Sequence, residues 1–536
     1  MEQTTKAKGL DAFFGITRRG STVGREICAG LLMGILSVCG IFMNMQLMSA
    51  NLLTGSSVAA NGEIIAGLYF FSMLAAFAGS LLIGLVARLP LVQASGLGLG
   101  SVLISMAGAA EGLTYYNLLL VSLLSAAVCA LALAVPAVWR GLWAAVPEPV
   151  RRAVPAAAGL LLAWNALQLT GVVTVGATAQ STYGVGAVLE QVSPSVSASS
   201  FVPFSSFSYA TDKFHPLMLL SALSVLLAFV IWLYCRRRST RPYLNALLAG
   251  TAFFLLTNLC FVCVNWKNFG MSLDSLWGRL WAVGSEDALH HHFYAIFSQF
   301  APAKVLTEGL DFSAYAAAGG SPALFVVTGV ITMAFTSLFD AKATFDGVAA
   351  QAGQEQENDR AALLCGAVCG VAAPLVGVGP LGLSKASVAG AGDGARTGLA
   401  SVSAALVQLV SAFVWVVPFF FATLYSYDIK FTMYGHYGET LQALSQCSFA
   451  VADAVMVIAG LSMAVRAMGI RWDDVVQAAP FAATAAAAFF LSSLAAGVAA
   501  GSLVWLLTAA GKEQRPTAAR WGWCAVSVVL LALIMW

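Results

Sequence analysis

Charge is scarce in this chain. Only 10% of its 536 residues are Asp, Glu, Lys or Arg, while 59% are hydrophobic. A soluble protein needs about 25% charged residues to wet its surface, so a water-soluble globule is excluded and most of the surface must face lipid. The formal net charge of +2 offers no pull toward nucleic acid. Histidine is equally sparse: His290, His291 and His292 are consecutive in one inter-span stretch, and His215 and His436 stand alone. Metal ligation wants ligands converging from several places. There is also no phosphate-binding glycine loop and no acidic metal motif. An enzyme is therefore not expected, nor is a cofactor or a bound metal.

Ten cysteines are present, and Cys28, Cys39, Cys129, Cys260, Cys263, Cys365 and Cys369 lie inside apolar stretches. Disulfide frameworks place cysteine in the loops of small secreted domains, so these read as small buried hydrophobes. Cys260 and Cys263 form a CxxC flanked by Leu, Phe and Val, with no second pair to complete a metal site. The chain stays polar up to Ile27, too far for a cleavable signal peptide. The first span is expected to remain and to serve as its own insertion signal.

What is abundant is long apolar runs. A membrane-crossing helix needs about 20 apolar residues. Candidates are Ile27–Ala50, Ile64–Val86, Leu118–Val138, Val154–Val173, Leu217–Tyr234, Leu244–Val264, Leu324–Phe339, Ala361–Val378, Thr397–Phe421 and Phe449–Ala467. Shorter or glycine-broken candidates are Gln93–Ala110, Ser387–Ala395, Val475–Leu491 and Gly497–Ala510, and a last run, Trp521–Trp536, is of marginal length. The count is about fourteen spans. Arg18, Arg19 and Arg25 precede the first, Arg88 follows the second, and Arg236, Arg237, Arg238 and Arg241 follow the sixth. Alternate loops are poorer in Lys and Arg, which predicts a cytoplasmic N-terminus in an inner cell membrane. Three long outward loops, 174–214, 267–320 and 423–446, are expected to cap the bundle.

The two halves echo each other. Pro90-Leu91 leads into Gly96, Gly98 and Gly100; Pro380-Leu381 leads into Gly390, Gly392 and Gly394. An odd number of spans, about seven, separates the two motifs, so the halves insert upside down relative to each other. Short glycine-interrupted segments at matching places in inverted halves point to a midplane binding site, because broken helices leave backbone groups that hydrocarbon cannot satisfy. Close helix packing through glycine is the other reading.

Asp340 ends the Leu324–Phe339 run. A carboxylate in the membrane must be paired, protonated or solvated, which makes Asp340 a proton or ligand site unless it simply lies at the surface. Lys385 precedes the second glycine run and Asp393 sits inside it; an Asp340–Lys385 ion pair is expected. Asp453, near the start of its span, is placed at the interface. Asn44 and Gln46 lie deep in the first span, where their amides suit a heterocyclic ligand or a neighbouring helix.

From Asp11-Ala12-Phe13-Phe14-Gly15 to about Ala510 the chain resembles the nucleobase–cation symporter family, in its azaguanine-like branch of adenine, guanine and hypoxanthine permeases. Asn44 and Gln46 look like its first-span Asn-Pro-Gln, Leu89-Pro90 with Gly98-Leu99-Gly100 like its third-span motif, Ser337-Leu338-Phe339-Asp340 like its Asn-Leu-Phe-Asp, and Gly394-Ala395-Arg396-Thr397-Gly398-Leu399 like its Gly-Gly-Arg-Thr-Gly-Leu. The resemblance implies an all-α polytopic fold of two inverted seven-segment repeats, with short strands preceding half-helices in segments three and ten. It implies a cytoplasmic segment 1–26, a core domain from 27–140 and 322–422, and a gate domain from 150–266 and 447–536 that supports a homodimer. It also implies purine symport, usually with protons. The family's third-span Asn falls on Gly100 and its tenth-span Glu on Ala386. Losing that Glu removes a charged acceptor worth about 1.5–3 kcal/mol, while Lys385 beside it suits an acidic solute.

The expected function is a secondary transporter of a purine base or related planar solute, coupled to protons (or sodium) by alternating access. Asp340 is the binding and coupling carboxylate. Backbone N–H groups near Gly98, Gly100 and Ser101 and near Ala386 and Ser387 face the solute, with Asn44 and Lys385 as secondary contacts. The alternatives are an organic or inorganic anion carrier on the same architecture, or a sensor that has lost transport.

Overall fold

A computed structural model describes residues 9–52, 62–95, 97–108, 112–169, 216–264, 304–353, 359–413, 450–467, 469–491, 493–510 and 518–535. The first repeat comprises α1 (Val23–Leu52), α2 (Gly62–Leu82), β1 (Gln93–Ser95), α3 (Leu97–Gly108), α4 (Tyr115–Ala134), a short α5 (Pro136–Ala145), α6 (Glu148–Leu169), α7 (Pro216–Cys235) and α8 (Pro242–Val264). The second comprises α9 (Pro322–Ala352), α10 (Asp359–Leu375), β2 (Leu381–Leu383), α11 (Ala386–Gly392), α12 (Gly398–Phe413), α13 (Ala450–Ala467), α14 (Val475–Phe490) and α15 (Leu494–Ala510), followed by α16 (Ala518–Met535). Among the described residues, Val23–Ile41, Leu68–Ala87, Tyr115–Ala134 and Pro322–Ala352 are long and apolar enough to cross a bilayer.

Packing repeats the internal symmetry. α12 lies on α1 and α2, and α4 lies on α10 and α9, the partners obtained by exchanging the halves. Likewise α14 and α15 pack on α6, and α7 and α8 pack on α13. α6 and α13 pack on each other through facing glycines: a methyl at Gly159 would meet the Gly460 carbonyl oxygen at 2.6 Å, and one at Gly460 would meet the Gly159 oxygen at 2.6 Å. Small residues let two backbones approach where lipid gives helices no hydrophobic reason to associate. Apolar side chains cover much of the outer surface, Leu131, Val465 and Leu507 among the most exposed.

Several boundaries depart from hydropathy for physical reasons. The third long run does not continue to Val138. Val135 is extended, as residues before proline prefer, and Pro136 opens α5 at its first turn. α5 buries Trp139, which stacks on Trp143 with ring centroids 6.0 Å apart. The run that appeared to stop at Asp340 continues as helix to Ala352, where Gly353 in the left-handed region (φ 65) ends it, so Asp340 is mid-helix. The charges beyond it are tolerated because Lys342 pairs with Asp346 at 2.7 Å and Asp359 at 3.3 Å. The marginal run at the end is a helix, α16, tied to α15 by Trp523 Nε1 donating to Ser502 Oγ at 2.9 Å. The ends of loop 267–320 nearest α9 form two short helices, Lys304–Thr307 and Ser313–Ala317, and Asn117 Nδ2 donates to the Gly309 and Asp311 carbonyls there at 3.0 and 2.9 Å. The stretches 174–214 and 423–446, and His215, His290, His291, His292 and His436, lie outside the described residues.

Candidate functional site at the crossed strands

The two glycine-rich segments meet. β1 and β2 pair antiparallel, Gln93 opposite Leu383, Ala94 opposite Gly382 and Ser95 opposite Leu381, and each strand runs directly into a short helix. Three residues cannot pleat far, so the crossing is held by side chains. Val92 N–H donates to Ser387 Oγ at 2.9 Å, and Ser384 N–H donates to the Val92 carbonyl at 2.7 Å. Gln93 is fully buried, its Nε2 on the Gly366 carbonyl at 2.8 Å and its backbone N–H on Ser80 Oγ at 2.9 Å. Gln408 Nε2 donates to Ser37 Oγ and to the Gln93 carbonyl, both at 2.9 Å. Ser401 Oγ accepts from Leu91 N–H at 2.8 Å and donates to the Leu89 carbonyl at 2.7 Å. Interrupted backbone inside a membrane must be satisfied by protein, and here α2, α10 and α12 supply the partners.

Above this platform lies the one ion pair that joins the broken element to a continuous helix among the described residues. Lys385 Nζ sits 2.6 Å from Asp340 Oδ1, with side chains 16% and 19% exposed. Lys385 is the residue before α11, and Thr344 Oγ1, one turn from Asp340, donates to the Asp340 carbonyl at 2.9 Å. The expected pair is therefore present, on the two elements expected to carry it.

The other candidates divide. Asn44 is buried and donates through Nδ2 to Ser95 Oγ. A methyl on Gly100 would run into Asn44 Oδ1, so Gly100 is small to admit that amide. A methyl on Gly98 would meet nothing within 4 Å, which leaves free space at the head of α3. The Ser101 and Gln46 side chains lie outside the described residues, as do those of Cys260 and Cys263. The backbone groups at the head of α11 correct the expectation that they face a solute. Ala386 N–H is held by Ser384 Oγ at 3.3 Å, Ser387 N–H by the Ser384 carbonyl at 3.1 Å, and Val388 N–H by the Lys385 carbonyl at 3.0 Å. Ala386 and Ser387 are fully buried, and the Ser387 hydroxyl serves the crossing. Asp393 is spent on structure, accepting from Tyr243 and Leu244 N–H at 2.9 and 2.8 Å and so capping α8. Asp453 is not at a wetted interface but 6% exposed inside the protein.

Sequence reasoning missed Gln93, Ser80, Ser401 and Gln408; uncharged polar residues inside apolar runs were the available signal. It also missed a cleft of about 480 Å³ between α9 and the start of α6, lined by Trp143, Glu148, Arg151, Arg152, Lys342 and Asp346. Among the described residues no three His, Cys, Asp or Glu side chains converge as metal ligands.

The sequence matches no family model and no curated protein, the nucleobase–cation symporter family included. Among solved structures it is similar to the transmembrane domain of a cyanobacterium bicarbonate transporter, BicA, at 14% identity and TM-score 0.37, covering 82% of this chain and 97% of that one. It is similar to SLC26A9 at 14% identity and TM-score 0.41, covering 92% and 67%. It is similar also to the murine Solute Carrier 26 family member A9 anion transporter in the inward-facing state, at 13% identity and TM-score 0.42, covering 96% and 74%.

Proposed function

We propose that this membrane protein is a secondary transporter whose solute is a small anion, bound where the interrupted elements cross. The observation that carries the reading is the Lys385–Asp340 pair. A purine needs acceptors for its ring N–H groups. At this site one carboxylate oxygen is already held by an ammonium, and the position that would supply a second carboxylate is the buried methyl of Ala386. Asp340 and Lys385 cancel in charge. What remains is the dipole of α3, a twelve-residue helix whose positive end lies at the crossing. Helix N-termini favour anions, and the neutralised pair adds an ammonium that an anion can share. The resemblance to purine permeases supports the architecture and alternating access between core and gate; the substituted positions at Gly100 and Ala386 argue for a different cargo.

Purified protein in proteoliposomes tests this. Saturable uptake of labelled bicarbonate, sulfate or oxalate, with no competition by hypoxanthine, is the expected result. Saturable hypoxanthine uptake untouched by these anions would restore the purine reading, and flux of neither would favour a sensor.

A further inference from the structure

With Asp340 held by Lys385, a second carboxylate among the described residues stands apart from any ion pair. Asp453 on α13 is 6% exposed, and its Oδ2 has no hydrogen-bond partner. Its neighbours along the helix, Val451, Ala452, Ala454 and Val455, share one apolar cluster with Leu36 and Cys39 of α1 and with Ala386 and Ala389 of α11. Asp453 therefore lies on a gate-side helix that packs against α1 and against α11, the short helix that follows Lys385.

Among the described residues, the groups around it offer no counter-ion. α1 brings Cys39, a buried thiol in the same apolar cluster. α11 brings alanines, and Lys385 at its head is taken by Asp340. α7 brings Ser224 and Ala228. α8 brings Gly250 against Val451, and its Tyr243 is engaged with Ser462, about two and a half turns further along α13. α6 meets α13 one turn on, through Ala163 and Ala166 at Val457. α9 reaches α13 through Gly347 at Met463, near the opposite end.

We infer that Asp453 is the proton-carrying site of the transport cycle, a carboxylic acid that is neutral while core and gate are closed over it and ionises only when their seam opens to water. An unpaired carboxylate in an apolar interior costs several kcal/mol. A lone carboxylate with no second acceptor beside it binds a proton rather than a metal ion, which needs several oxygen ligands. Its place on the face where core meets gate ties loading of the proton to movement of the solute site, and this part of the inference rests on the transporter reading above.

Two measurements test it. In membranes, a hydrophobic carbodiimide, which attacks protonated carboxyls, is expected to label Asp453, as mapped by mass spectrometry, with labelling falling as pH rises. In proteoliposomes, an inward proton gradient is expected to accelerate solute uptake by wild type, and Asp453→Asn is expected to abolish that acceleration whatever its absolute rate. Absence of an Asp453 adduct while other carboxyls react would overturn the inference, as would Asp453→Asn protein that still answers the gradient like wild type. Because labelling needs no transport, a wild type that labels at Asp453 but moves no solute would sink the transporter reading and leave the protonated acid standing.

Discussion

The two crossed segments occupy equivalent places and do opposite things. In the first repeat, a mid-helix amide, Asn44 of α1, reaches the strand-to-helix junction at Ser95. In the second, a mid-helix carboxylate, Asp340 of α9, reaches the matching junction at Lys385. The same architectural contact is thus made once with neutral groups and once with charges. The first segment continues into a helix of 12 residues, the second into one of 7 residues, after which Asp393 and the left-handed Gly394 (φ 99) redirect the chain. Inverted repeats that begin alike diverge where the chemistry sits: the first half became the uncharged platform, the second the charged element. The lesson is that internal symmetry locates a site, and departures from the symmetry describe it.

The sharpest way to break this asymmetry is Lys385→Met. It leaves Asp340 charged and partly buried without its ammonium, and stranding one member of such a pair costs about 3–5 kcal/mol. Transport should be lost and the unfolding temperature in detergent should fall clearly. Adding Asp340→Asn turns the second junction into a neutral one like the first and should recover most of the stability but not anion uptake. A double variant as unstable as the single one would mean that the pair is not what holds α9 to α11.

A smaller effect separates two glycines two residues apart in the first segment. Gly100→Ala places a methyl against Asn44 Oδ1, whereas Gly98→Ala places one in open space. Overpacking costs about 1–3 kcal/mol, so Gly100→Ala should destabilise by that order and disturb the Asn44–Ser95 contact. Gly98→Ala should leave stability intact, or raise it slightly as alanine does in a helix, while weakening uptake by narrowing the proposed solute space. Equal loss of stability in both would remove Gly98 from the site.

Much of this was legible from residues alone, and the gaps have physical causes. Hydropathy found the spans because lipid imposes it, and the matched Pro-Leu and glycine runs found the crossing. The Asp340–Lys385 pair was legible because an isolated charge in an apolar run demands a partner. Asp340 was misread as the end of its helix because Lys342 and Asp346 end the apolar run, although their pairing lets the helix continue. Asp453 was assigned to the interface by its position near a helix start, while its true depth depends on α1 and α11, which are distant in sequence. Gln93 left no periodic trace, since a three-residue strand is too short to have one.

The smallest predicted difference concerns two further equivalents, the starts of α4 and α12. α4 is capped locally: Thr114 Oγ1 accepts from Asn117 N–H at 3.3 Å, and Asn117 Oδ1 accepts from Thr114 N–H at 2.9 Å. α12 is capped at long range, by Glu26 of α1 accepting from Arg396 and Thr397 N–H at 2.9 and 3.2 Å. Glu26→Ala should cost about 1.5–3 kcal/mol, the worth of hydrogen bonds to a charged group, and should loosen α1 from α12. Thr114→Ala should cost about 1 kcal/mol, the ordinary value of an N-cap, and leave the packing of α4 on α9 and α10 unchanged. Thermal unfolding of the two variants, with hydrogen exchange across 23–52 and 398–413, separates them. A local cap frays only its own first turn, whereas a cap donated by another helix loosens both partners. If Thr114→Ala raised exchange throughout α9 and α10, the caps would be equivalent after all, and the asymmetry between the repeats would be confined to the charged junction.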